Sequence, residues 1–206
     1  RLVVSKRFYL WLSLLIGLGI KASLQNNPLQ TKEDTFLTVY YQIAHPILLT
    51  FFLIPCFLFL LGIVTNVFHR NQILLKYSRA QDWWRDQNIV LLLFSFLYTI
   101  MIHGVILGGS VAHGGMEILT GDFLLFLGVS STIQLLGFIL LGIGYSIISL
   151  LTNSYIGFFA IILLVTFIDV LKRLFNLGIY ILQEYMSFSF YTGALSEIPL
   201  SLFLFL

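Results

Sequence analysis

The sequence predicts an all-α integral membrane protein, a polytopic bundle of about six transmembrane helices whose N-terminus is cytoplasmic. Three observations predict it. Only 10% of the 206 residues are charged while 59% are hydrophobic, too few charges to clothe a water-facing surface. The mean hydropathy is +0.98. The apolar residues are gathered into runs near the length of about 20 residues that crosses a hydrocarbon core as a helix. One domain is expected, a single bundle over 1–206. The formal net charge of +2 does not suggest nucleic acid as a partner. Cys56 is the only cysteine, which excludes an internal disulfide and four-cysteine metal centres. The chain starts at Arg1 and stops in an apolar run, so one or both native ends are expected to be missing.

The first span is expected over 2–20, with Lys6 and Arg7 snorkelling to the headgroups. No small-x-small cleavage site follows it, so it reads as a retained span and not a signal peptide. An outer loop, 21–45, leads to the second span, 47–68. Pro46 falls in its first turn, where a missing N–H costs little, and Pro55 falls in its middle and should kink it. A connection over 69–88 leads to the third span, 89–107. The Gly-rich outer loop 108–122 precedes the fourth span, 123–151, long enough to tilt, kink or bend near Gly142 and Gly144. Thr152-Asn153-Ser154 is the expected turn into the fifth span, 155–170. The stretch 171–197 is neither a clean span nor a clean loop, and 198–206 looks like the start of a sixth span.

Lys and Arg are retained on the cytoplasmic side. Arg1, Lys6 and Arg7 precede the first span, and Arg70, Lys76, Arg79 and Arg85 fill the connection 69–88. Counting spans puts both segments on one side, hence the cytoplasmic N-terminus. Lys172 and Arg173 fall on the wrong side by this count, although Asp169 stands at helical ion-pair spacing from both.

The connection His69 to Asn88 is too polar to span and too apolar for a plain tether. Leu74, Leu75 and Tyr77 accompany Lys76 and Arg79, and Trp83, Trp84 and Arg85 follow just before the third span. Such a stretch can lie along the membrane face with its tryptophans at headgroup level. It reads either as a basic interfacial loop that fixes topology or as a docking helix for a cytoplasmic protein.

Leu74-Leu75-Lys76-Tyr77-Ser78-Arg79, followed by Trp83-Trp84 and an apolar span, resembles the loop between the second and third spans of ABC-2 type permeases. These are the membrane subunits of ATP-binding-cassette exporters, notably small Gram-positive ones. The resemblance covers the whole chain in hydropathy and 74–84 in residue detail. It implies six spans with a re-entrant element before the last, which 171–199 would supply. It also implies a cytoplasmic ATP-binding-cassette ATPase subunit, a second membrane subunit (identical or homologous), and residence in a bacterial plasma membrane. The cargo would be amphipathic or hydrophobic, a peptide or antibiotic. Leu74, Leu75, Lys76, Tyr77, Arg79, Trp83, Trp84 and Arg85 would dock the ATPase. The chain departs from the pattern in its incomplete last span and in having no cytoplasmic tail after it. It contains no G-x-x-x-x-G-K-[ST] loop, so ATP hydrolysis is expected on another chain, and no cofactor or catalytic residue is expected on this one.

Two other classes remain open. His45 and His103 on different helices could hold a haem iron, or, with His113 and Glu117 or Asp122, a metal; the plainer reading is interfacial histidines hydrogen-bonded near headgroups. A scaffold subunit of a larger complex is the third reading. Gly137, Gly142 and Gly144, with Ser130, Ser131 and Ser146, offer surfaces for packing within the bundle or for a dimer face. Gln134 reads as a helix-to-helix hydrogen bond. The pieces Ala112-His113-Gly114-Gly115 and Gly128-Val129-Ser130-Ser131 resemble rhomboid protease motifs, but their order is reversed, and that reading is rejected.

Overall fold

The computed structural model describes residues 13, 17, 40–41, 43–65, 77, 79–115, 121–175 and 182–187. The expected first span (bar Ser13 and Gly17), the sixth span, most of the first outer loop, and Leu74, Leu75 and Lys76 lie outside them. Among the described residues every regular element is helical. The elements are α1 (Pro46–Leu48), a π-helical turn (Leu49–Leu53), α2 (Ile54–Thr65), α3 (Ala80–Gly114), α4 (Gly121–Leu151), α5 (Ser154–Phe175) and α6 (Leu182–Met186). Among the described residues four helical stretches are long and apolar enough to cross a membrane: Pro46–Thr65, Ala80–Ala112, Gly121–Leu151 and Ser154–Lys172. The chain is therefore described as a multi-pass, all-helical membrane protein.

The helical stretch Pro46–Thr65 opens with His45, whose Nδ1 accepts from the Ile47 N–H at 3.3 Å, ahead of Pro46. Pro55 has no N–H to give the carbonyl four residues back. The helix adjusts just before it: the Ile54 N–H reaches Leu49 O, five residues back, and Leu49–Leu53 takes π geometry. The Tyr98 hydroxyl on α3 donates to Leu53 O at 2.9 Å, clamping this irregular turn to its neighbour.

α4 is the centre of the bundle, packed against α2, α3, α5 and α6. It runs antiparallel to α3, with Gly142 against Leu91 and Ser130 against His103. It is likewise antiparallel to α5, with Ser149 against Gly157 and Gly144 against Ile161. The turn between α4 and α5 is Thr152-Asn153; Asn153 Oδ1 caps α5 by accepting from the Ile156 N–H at 2.8 Å. Phe57 forms the aromatic centre, 4.8 Å from Phe138 and 5.4 Å from Tyr98 between ring centroids. The glycines of α4 are points of close approach: an added Cβ would overlap the Met186 side chain at Gly137, and would lie 3.1 Å from Leu91 at Gly142 and 3.2 Å from Ile161 at Gly144. At these three positions the small residues serve packing within one bundle.

Two helix ends fall away from the apolar runs. α3 starts at Ala80, well before Ile89, and ends at Gly114, well after Leu107. A helix boundary follows backbone hydrogen bonding, whereas an apolar run marks only the part lying in lipid. Gly115, at φ +70°, stops α3 by giving its N–H to Val111 O at 2.9 Å. α4 runs unbroken through Gly142 and Gly144. At the far end, Lys172 on α5 pairs with Glu184 on α6, and Met186 is buried over Gly137, so α6 is held against the bundle.

Candidate functional site

Five of the eight docking residues expected from sequence are described, and they divide at the start of α3. Arg79 is the N-cap, in extended conformation, and Asp82 lies in the first turn, where a carboxylate favours the helix dipole. Trp83, Trp84 and Arg85 are helical, in the first two turns of a rod of 35 residues. At 1.5 Å per residue that rod is about 52 Å long, well beyond the roughly 30 Å of a hydrocarbon core. The same helix therefore supplies both the polar end and a stretch long and apolar enough to cross a membrane. Trp83 is buried and Trp84 half-buried, their rings 6.1 Å apart. Arg85 is exposed and lies 3.6 Å from both Asp82 and Asp86, pairs that water screens to small energies. Tyr77 folds back onto the rod: its hydroxyl donates to Asp86 Oδ2 at 3.1 Å. Desolvation against the helix, then the accepting Asp86 carboxylate, raise the Tyr77 hydroxyl above its ordinary pKa.

A second feature lies between α3 and α4. Gln87, Ser95, Thr99 and His103 are all buried and repeat along α3 at multiples of four residues. Facing them α4 buries Ser130, Gln134 and Ser146. The His103 Nδ1 lies 3.1 Å from Thr99 O. A carbonyl only accepts, so Nδ1 carries the proton and Nε2 turns its lone pair toward Ser130 Oγ, 3.4 Å away. The Tyr40 hydroxyl sits beside Ser130 and Gln134, its ring edge-on to Phe126 at 5.0 Å. Among the described residues, the side chains of Gln87, Ser95 and Ser146 in this seam complete no hydrogen bond.

His45 and His103 occupy unlike settings, one an exposed cap and the other a buried member of the seam. His113 is in the last turn of α3, and its side chain, like Glu117, is outside the described residues. Among the described residues no three His, Cys, Asp or Glu side chains gather as a metal site. Sequence reasoning singled out Gln134, Ser130, Ser146 and His103 separately and missed Gln87, Ser95 and Thr99. The signal was present as a four-residue polar repeat inside an apolar run. No family model, curated protein or solved structure matches this chain.

Proposed function

We propose that the chain is the membrane subunit of an ATP-driven exporter of the ABC-2 type, a six-span permease with a cytoplasmic N-terminus in a bacterial plasma membrane. It works with a cytoplasmic ATP-binding-cassette ATPase and a second membrane subunit to move an amphipathic or hydrophobic cargo such as a peptide or antibiotic. The observation that carries the reading is the continuity of α3. A motor subunit pressing on Arg79, Trp84 and Arg85 moves the third span as one rigid body, because helical hydrogen bonds run unbroken from Ala80 into the bilayer. The Lys and Arg of 69–88 support a cytoplasmic position for this end. Tyr77 is itself tied to the lever through Asp86.

The test is copurification with an ATP-binding-cassette protein, sought among the proteins encoded beside this chain. Arg79→Glu and Arg85→Glu reverse exposed charges without touching the core. The expected result is a complex lost in the double variant and retained in an Arg85→Lys control. A complex that survives both reversals defeats the docking role, and the absence of any ATPase partner favours a scaffold subunit.

A further inference from the structure

The outward face of α3 and α4 holds a groove of about 390 Å³, within the roughly 300–1,000 Å³ range of small-molecule sites. It opens sideways: Phe96 and Ile100 on its wall are exposed on the face that a membrane span turns to lipid. Leu127 and Leu135 form the opposite apolar wall. Its polar groups are Thr99, His103, Ser131 and Thr132, with no charged side chain among the lining residues.

Every proton on these polar groups is already committed. The Thr99 hydroxyl donates to Ser95 O at 2.9 Å, and Ser131 and Thr132 donate to Gly128 O at 2.9 and 2.8 Å. The proton of His103 goes to Thr99 O. What the groove has left is hydroxyl lone pairs, so it recognises a hydrogen-bond donor. A charged head is disfavoured, because no side chain in the lining carries a charge to pair with it.

We propose that this groove is a lateral binding site for a single-chain amphiphile with an uncharged, donating head, a hydroxyl or a primary amide. The apolar chain lies along Phe96, Ile100, Leu127 and Leu135, and the head donates to Thr132 and Ser131. The inference rests on the exporter reading only in naming this amphiphile as cargo; binding itself stands on the lining.

Gly104 provides the steric test, since it lines the groove and an added Cβ there meets nothing within 4 Å. Gly108 is equally open and lies outside the lining, so it is the control. The full chain in lipid nanodiscs is photolabelled with a long-chain primary alcohol carrying a diazirine. The expected result is labelling of peptides spanning 96–107 or 127–135, reduced about tenfold by Gly104→Leu and unchanged by Gly108→Leu. Unlabelled alcohol competes, whereas the methyl ester of the same chain length, which only accepts, does not. Labelling that ignores Gly104→Leu, or an ester that competes as well as the alcohol, overturns the site and assigns the signal to bulk lipid. ATPase copurification of the unsubstituted chain is read in parallel with its labelling. If the complex forms and selective labelling is absent, the site alone falls; if labelling is selective and no ATPase copurifies, the exporter reading alone falls.

Discussion

The stretch Pro46–Thr65 and α5 are both apolar helices of similar length, yet they stand in opposite relations to the bundle. Half of the most apolar stretch of Pro46–Thr65 is buried, against 17% of that of Ser154–Lys172. In α2, Ile54, Phe57, Leu58 and Leu61 are all closed off, and neighbours approach from more than one side. In α5 the closed positions are Gly157, Ile161 and Val165, a single stripe at four-residue spacing that meets α4 and α2. Phe159, Leu163, Leu164 and Phe167 point away from it. Hydropathy alone does not separate the two, because lipid and protein interior are equally apolar surroundings for such a helix. What separates them is contact, and contact energy in a membrane is mostly close packing.

This contrast orders the expected effects of substitution, read by equilibrium unfolding in mixed detergent micelles. Phe57→Ala removes the ring at the aromatic centre and should cost the most, about 3 kcal/mol, the low end for a buried phenylalanine since little water-transfer energy is involved. A cost below that of an exposed α5 leucine would break the contrast. Gly137→Ala should cost about 1–3 kcal/mol by pushing on Met186, and Met186→Ala should relieve most of that cost. Strict additivity of the two would show that α6 is not seated on α4. Tyr98→Phe deletes the donor to Leu53 O beside the π turn, a loss of about 0.5–1.5 kcal/mol. Leu163→Ala, on the open face of α5, should change stability by less than about 0.5 kcal/mol in the isolated chain. A larger effect that appears only in the assembled complex would mark that face as the contact with a second membrane subunit.

The same contrast explains what could be read beforehand. Apolar runs announce spans because lipid imposes length and composition, and the runs around Phe57, Leu97, Leu140 and Leu163 each fall within a helix. Helix ends are less visible. Gln81 to Asn88 is polar, so hydropathy assigns it to a connection, although nothing there stops a helix and Asp82 favours its start. Gly108 and Gly109 look like a turn, yet the helix persists to Gly114 and breaks only where Gly115 adopts positive φ. Pro55 signals an irregularity, but not that a π turn ahead of it would absorb the missing donor. At the site, Trp83, Trp84 and Arg85 stand out by composition, while their rigid union with the third span does not. The seam and the groove depend on which residues of α4 oppose which residues of α3, and that register is a tertiary property.

The most direct test is the side of the membrane on which the lever begins. Arg79→Cys in a Cys56→Ser background places one thiol at the exposed N-cap of α3, since Cys56 is the one cysteine of this sequence. A membrane-impermeant maleimide should leave intact cells unlabelled at this position and label it fully in inside-out vesicles. Full labelling from the outside of intact cells would put Arg79, Trp84 and Arg85 out of reach of any cytoplasmic motor.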